Sequence, residues 1–202
     1  MIIFVSGATS TVKKFKGNPY IGQLMSPRAA NKYMDGFPVA ADNSAYSDWN
    51  ESRFMRMLDK IEGKNIKWVA APDVVGDAVK TMDLFYRWHN EIKVKRRLPI
   101  AYVLQDGQEK IGLPHTGLYD AVFVGGSTDF KLGSTARMYI NAARSAGKWV
   151  HMGRVNTFRR LKYAIDIGCD SVDGTTFSIE PKNIKRFVNF LSRHERQTIM
   201  FE

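Results

Sequence analysis

Short apolar runs alternate with longer amphipathic stretches along most of the chain. Apolar runs bounded by Gly, Pro, Asn or Asp predict buried strands, and apolar residues that recur every three or four positions predict helices. Seven strands are predicted in this way, at Met1–Gly7, Val39–Ala41, Lys67–Ala71, Pro99–Leu104, Tyr119–Val124, Trp149–Met152 and Ser171–Val172. A helix follows most of these strands, and this alternation is typical of a parallel sheet.

The predicted helices each carry apolar residues on one face. Asn50 or Ser47 can cap a helix that ends near Gly63, and another helix is predicted from Asp77 to Lys93. The face that we expect the second helix to bury holds Val79, Met82, Tyr86 and His89. Further helices are predicted at Ser134–Ala146, around Phe158–Ile165, and from Pro181 onward.

The segment between Gly7 and Gly36 shows neither the apolar runs of buried strands nor the helical spacing of apolar residues. It carries Lys13, Lys14, Lys16 and Arg28 among glycine, asparagine and proline. Turn chemistry of this kind predicts a long irregular loop. Its lysines either contact phosphate or belong to an ordinary solvated surface.

The order of the elements predicts one α/β domain over residues 1–202, built as a trimmed or slightly irregular (β/α)8 TIM-type barrel. A chain of 202 residues suffices for one well-buried core. Such barrels usually take about 250 residues but can be built from roughly 200. A doubly wound open sheet is the alternative, although the chain has neither a G-x-G-x-x-G turn after its first strand nor a G-x-x-x-x-G-K-[ST] loop.

The chain is strongly basic, with thirty Lys and Arg against twenty Asp and Glu and a net charge of +10. A domain of this charge commonly binds nucleic acid, and a basic surface that serves only solubility is the alternative. The single cysteine excludes an internal disulfide and a cysteine-cluster zinc site, and it favours a reducing compartment. With neither a basic leader nor a long apolar stretch, we expect no signal peptide and no membrane partner.

Polar residues, glycines and one methionine stand at the ends of the predicted strands, where a barrel places its active site. These residues are Asp42, Asp73, Gln105, Asp106, Gly125, Gly126, Met152, Gly153 and Asp173. Carboxylates on separate strands suit glycosidic chemistry, in which one attacks or stabilises an anomeric carbon and another handles the proton of the leaving group. An amide, a carboxylate and backbone N–H groups suit the edge of a purine. Alternatively, each aspartate is only a helix cap or turn residue.

No metal and no redox cofactor is predicted. The four histidines show neither H-x-x-x-H nor H-E-x-x-H spacing, so they are expected to be core or surface residues and not metal ligands. A magnesium site stays as the alternative, because one or two of the carboxylates would be enough to hold that ion.

The strand-end motifs resemble, in order and approximate spacing, those of the tRNA-guanine transglycosylases. They cover about two thirds of the chain and read DNSAY at Asp42–Tyr46, APD at Ala71–Asp73, YVLQDG at Tyr102–Gly107, FVGGS at Phe123–Ser127, HMG at His151–Gly153 and CDSVDGTTF at Cys169–Phe177. The family's zinc site is absent, and the arginine-bearing segment that follows its nucleophile is replaced by Thr175–Ile179. The chain is more similar to compact, zinc-free relatives associated with phages and with 7-deazaguanine modification of DNA.

The resemblance implies a role for each of nine residues. Asp173 corresponds to the nucleophile that attacks C1′, and Asp42 corresponds to the general acid/base. Tyr46 and Met152 would sandwich the base, and Gly153, next to Met152, would also belong to the substrate-binding site. The base edge would be read by Asp73, Gln105 and the backbone at Gly125 and Gly126.

The reaction implied is the exchange of guanine in nucleic acid, DNA more than tRNA, for a free 7-deazaguanine base such as preQ0. A nucleic-acid N-glycosidase or nucleoside-processing hydrolase, a non-catalytic nucleic-acid-binding barrel and a small-metabolite barrel enzyme are the alternatives. We expect a cytoplasmic protein, in the host cytoplasm if a phage encodes it. The sequence leaves open whether the protein has a partner subunit or forms a homodimer.

Overall fold

The computed structural model describes residues 1–7, 9–29, 32–179 and 181–199. Within these residues, eight parallel strands close into a barrel in which each strand pairs with the next and the first pairs with the last. They are β1 (Ile2–Ser6), β2 (Ile21–Met25), β3 (Val39–Ala41), β4 (Val69–Ala70), β5 (Ile100–Leu104), β6 (Ala121–Val124), β7 (Trp149–Met152) and β8 (Ser171–Asp173). The closed barrel confirms the (β/α)8 TIM-type prediction and excludes the open doubly wound sheet.

Helices follow most of the strands and pack around the barrel. They are α1 (Thr9–Lys13), α2 (Glu51–Ile61), α3 (Ala78–His89), α4 (Thr128–Leu132), α5 (Ser134–Ser145), α6 (Phe158–Asp166), α7 (Thr175–Ile179) and α8 (Pro181–Ile199). A π-helical segment at Asn90–Lys95 extends α3, and a 3-10 turn at Gln108–Lys110 follows β5. Across the described ranges, none of the helices has the length and apolar character needed to cross a bilayer.

Side-chain alternation along the strands divides the core into two layers. The inner layer fills the barrel and contains Phe4, Leu24, Ala40, Trp68, Ala70, Ala101, Val103 and Ala121. The ring of Trp68 packs edge-on against Phe4 and Phe123, with ring centroids 5.7 Å apart in both pairs. Four alanines in this layer leave room for the indole, so the barrel interior is filled at this level.

Strand β2 corrects the sequence prediction, which treated Gly7–Gly36 as irregular. Its apolar pattern is broken by Gly22 and Gln23. A Cβ on Gly22 would lie 2.6 Å from the Phe4 ring, so glycine is needed inside the barrel. The Gln23 side chain accepts from the Met34 N–H at 3.0 Å and donates to the Lys32 carbonyl at 2.6 Å. Packing inside the barrel therefore explains Gly22, and hydrogen bonds to the loop after β2 explain Gln23.

Helix α3 buries a different face from the one predicted. Its buried residues are Ala78, Thr81 and Phe85, whereas Val79 and Tyr86 are 54% and 52% exposed. The Thr81 hydroxyl exchanges hydrogen bonds with the backbone N–H and carbonyl of Val74, at 3.0 and 3.2 Å. A threonine whose hydroxyl is satisfied can be buried, and apolar periodicity alone does not show this.

Helices α2 and α5 confirm their predictions. The Asn50 side chain accepts a hydrogen bond from the Arg53 N–H and caps α2. The apolar face that the sequence predicts for each helix is buried; it is formed in α2 by Phe54, Leu58 and Ile61, which recur at helical spacing, and in α5 by Ala136, Tyr139, Ile140 and Ala143.

Candidate active site

A cavity of about 490 Å³ opens at the carboxyl ends of the strands. Eight of the nine residues to which the resemblance gives a role line it, namely Asp42, Tyr46, Asp73, Gln105, Gly125, Gly126, Gly153 and Asp173. The volume is in the range that takes a small ligand, which is about 300–1,000 Å³. Residues from six different strand ends thus meet in one site.

Met152 is the exception. Its side chain is only 2% exposed and belongs to the outer core layer, between strands and helices. Successive residues of a strand point to opposite sides, so β7 directs His151 into the barrel and Met152 away from it. The expectation that Met152 covers one face of a base is therefore wrong for this structure.

Both carboxylate oxygens of Asp173 accept hydrogen bonds. His151 Nε2 lies 3.0 Å from Oδ2, and the Arg154 backbone N–H donates to Oδ1 at 2.9 Å. Burial opposes ionisation of this carboxyl group, but these two hydrogen bonds and the nearby charge of Lys131 hold the pKa of Asp173 below its ordinary value. Asp173 is therefore ionised at neutral pH.

A chain of hydrogen bonds fixes the proton on His151. Trp149 Nε1 donates to Ser171 Oγ at 2.8 Å, and this hydroxyl lies 2.9 Å from His151 Nδ1. The Asp173 carboxylate can only accept, so the imidazole must carry its proton on Nε2, and Ser171 donates to Nδ1. Burial lowers the pKa of His151, which keeps the ring neutral.

The pKa of Asp42 is displaced upward, in the opposite direction to that of Asp173. Burial, followed by the negative charges of Asp173 and Asp73, raises its pKa to about 7. The hydrogen bond that Oδ2 accepts from the Ser44 N–H is long, at 3.3 Å, and offsets only part of this effect. Near neutral pH a large share of Asp42 is therefore protonated and able to give a proton.

Asp73 is held between two amides. Asn43 Nδ2 donates to its Oδ1 at 2.7 Å, and Gln105 Nε2 donates to its Oδ2 at 2.6 Å. Burial raises the pKa of Asp73 to about 6, although the two hydrogen bonds oppose the rise. Gln105 Oε1 also accepts from the Gly76 N–H at 2.9 Å, so both ends of the Gln105 amide are held.

The backbone at Gly125 and Gly126 packs closely against the strand end that carries Gln105. A Cβ on Gly125 would lie 2.8 Å from the Leu104 carbonyl oxygen, and Gly126 has a φ of +75°. The Gly125 N–H already donates to that carbonyl at 3.0 Å, so the protein itself uses one of the backbone groups expected to read a base. Asp106 accepts a hydrogen bond from the Ser127 N–H at 2.7 Å. This bond holds the turn after Gly126 in place, so the role of Asp106 is structural.

Arg154 was missed by sequence reasoning. Its backbone N–H holds Asp173, its guanidinium donates to the Gly126 carbonyl, and the same group lies 4.3 Å from the centre of the Tyr46 ring. Tyr46 is 68% exposed at the cavity mouth. The φ of Arg154 is +61°, which is unusual for a residue other than glycine and is typical of strained functional sites.

Lys131 of α4 was also missed. Its side chain is buried, lines the cavity, and donates through Nζ to the Gly153 carbonyl at 2.9 Å. Burial, followed by the positive charge of Arg154, lowers its pKa to about 7. A lone lysine within a short helix gives no signal in the sequence, because only the closed barrel brings it to the cavity.

No three His, Cys, Asp or Glu side chains in the described part of the chain are placed to hold a metal ion together. The chain matches no protein-family model and no curated protein.

Proposed function

We propose that this protein is a base-exchange transglycosylase that replaces guanine in nucleic acid, DNA rather than tRNA, with a 7-deazaguanine such as preQ0. The observation that carries the proposal is the pair of carboxyl groups in one cavity whose pKa values are displaced in opposite directions, Asp173 downward and Asp42 upward to about 7. Such a pair supplies an ionised nucleophile and a protonated acid at the same pH. The order of the strand-end motifs supplies the choice of substrate.

In the first step, an Asp173 carboxylate oxygen attacks C1′ of the guanine nucleotide. The bond between C1′ and N9 breaks, and its electron pair leaves with the base. Asp42 gives its proton to the departing guanine and becomes a carboxylate. The sugar is then held to Asp173 through a covalent ester.

In the second step, the incoming 7-deazaguanine gives the proton of its N9 position to Asp42. This nitrogen attacks C1′ and expels the Asp173 carboxylate. Both aspartates return to their starting ionisation states, so the cycle balances without a cofactor.

The surrounding residues position these groups. The neutral imidazole of His151 and the backbone of Arg154 hold the nucleophile without removing its charge. Asp73 and Gln105 line the cavity and bring together carboxylate oxygens and an amide N–H, which suits the donor and acceptor edge of a guanine. Tyr46 offers an exposed ring on which a flipped base can stack.

The substrate can be identified by mass spectrometry of nucleosides from DNA and tRNA of cells with and without this protein. The proposal expects a 7-deazaguanine nucleoside in DNA only when the protein is present. Abasic sites with free guanine and no modified nucleoside would instead support the hydrolase. Unchanged nucleosides in both nucleic acids would reject the enzyme and favour a binding barrel.

A further inference from the structure

A second depression of about 260 Å³ lies beside the active-site cavity. Four cationic side chains and no carboxylate line it, and we call it the basic groove. The four are Arg28, which follows β2, and Arg53, Arg56 and Lys60, which belong to α2.

The basic groove is continuous with the active-site cavity. Ser26, Arg28 and Ala29 contribute to the walls of both. This segment directly follows β2, so it stands at the carboxyl end of the barrel, as Asp173 does. An extended ligand with one unit in the cavity can therefore continue into the groove along the protein surface.

The cations of α2 form a row. Arg53, Arg56 and Lys60 are spaced three and four residues apart, which places them on one face of the helix. At a rise of 1.5 Å per residue, the row spans about 10 Å along the helix axis. A row of this length suits a chain with repeated negative groups better than a single small anion.

Most of this charge is not neutralised by the protein. Arg53 pairs with Asp48 at 2.8 Å, and the neighbouring Asp59 pairs with Arg96 at 2.7 Å, away from the groove cations. Among the residues that the structure describes, no carboxylate pairs with Arg28, Arg56 or Lys60. Clustered like charges repel one another, and a negatively charged ligand would relieve this repulsion.

We propose that the basic groove binds the phosphodiester backbone of the DNA strand next to the nucleotide held in the cavity. The choice of ligand rests on the proposed base exchange, whereas the groove itself rests on the position and pairing of its cations. Arginine suits this role because its planar guanidinium can bind a phosphate through two hydrogen bonds.

The test measures fluorescence anisotropy of a labelled single-stranded DNA oligonucleotide over a range of salt concentrations. The Arg56→Ala/Lys60→Ala variant removes two groove cations. Each phosphate contact on a single strand contributes about 0.7 to the slope of log K against log salt, so the slope should shrink by about 1.4. Arg56→Gln/Lys60→Gln should give the same change and keeps more of the side-chain packing.

The matched control is Lys64→Ala/Lys67→Ala, which removes the same charge. Both lysines are exposed and precede β4, at the opposite end of the barrel. This variant should keep the wild-type slope. An unchanged slope in the groove variants would overturn the proposal, and so would an equal loss in the control. Binding of tRNA through Arg56 and Lys60 without binding of DNA would overturn the assignment to a DNA strand.

A separate exchange assay with labelled preQ0 distinguishes failure of the groove from failure of the function. Base exchange by the wild type, together with an unchanged slope in the groove variants, would reject only the groove. A reduced slope without any base exchange by the wild type would support the groove and reject the transglycosylase.

Discussion

The imidazole of His151 approaches Asp173 from inside the barrel, with Nε2 3.0 Å from Oδ2. The ring is fully buried and packs against Trp68 and Phe123, at centroid distances of 4.5 and 4.7 Å. The aromatic walls fix the ring, and the ring in turn fixes the carboxylate. His151 is therefore a positioning residue for the proposed nucleophile.

Replacing His151 tests this role through the pH dependence of activity. His151→Ala removes a donor to the carboxylate, so the pKa of Asp173 should rise. A hydrogen bond to the charged carboxylate stabilises the ionised form, and its loss favours the protonated form. The acidic limb of the kcat/KM profile should therefore move to higher pH.

His115→Ala is the matched control, because His115 is exposed on a loop. It should leave the profile unchanged. If His151→Ala lowers kcat/KM equally at every pH, the residue serves packing alone and the positioning role is rejected.

Asp42→Asn should remove the proton donor of the first step. General acid catalysis typically contributes about 10²–10⁴-fold, and kcat/KM at pH 6 should fall by a factor in this range. In the wild type, Asp42 loses its proton as the pH rises through about 7, so kcat/KM should decline above that pH. Asp83→Asn on the exposed face of α3 is the control. Wild-type kcat/KM in the Asp42→Asn enzyme would contradict the acid role.

The same substitution should stabilise the fold at high pH. The pKa of Asp42 is 3.8 when unperturbed and about 7 in the folded protein. The folded state therefore binds the proton more tightly than the unfolded state, and stability falls as the pH rises from about 4 to 7. The loss corresponds to about 1.4 kcal/mol for each unit of pKa displacement. Thermal unfolding should show a higher Tm for Asp42→Asn at pH 8 and a smaller difference at pH 4, and the reverse order would contradict the raised pKa.

Tyr46 should contribute to substrate binding through its ring and not through its hydroxyl. Stacking of a base on an aromatic side chain is worth about 1–3 kcal/mol, so Tyr46→Ala should weaken binding of guanine-containing DNA by about 5- to 150-fold. Tyr46→Phe keeps the ring and should bind as the wild type does. Equal binding by all three proteins in an anisotropy titration would show that no base stacks on this residue.

The sequence predicted the barrel because most of its strands are short apolar runs followed by amphipathic helices. Strand β2 escaped prediction because Gly22 makes room for the Phe4 ring and Gln23 bonds to a loop. Local periodicity predicts neither residue, because each is required by a contact with residues outside β2.

The sequence predicted the site residues that lie at strand ends. The motif HMG placed Met152 at the correct strand end but on the wrong side, because alternation assigns His151 and Gly153 to the interior. His151, Lys131 and Arg154 reach Asp173 or its surroundings from other elements. Contacts between elements are set by closure of the barrel and leave no pattern along the chain.

The most direct test of the central claim is the incorporation of labelled preQ0 into guanine-containing DNA by the purified protein. Wild type and the exposed-residue control Asp83→Ala should incorporate the label, and Asp173→Ala should not. Thermal unfolding of Asp173→Ala verifies that the barrel stays folded. Equal incorporation by wild type and a folded Asp173→Ala protein would contradict the assignment of Asp173 as the nucleophile.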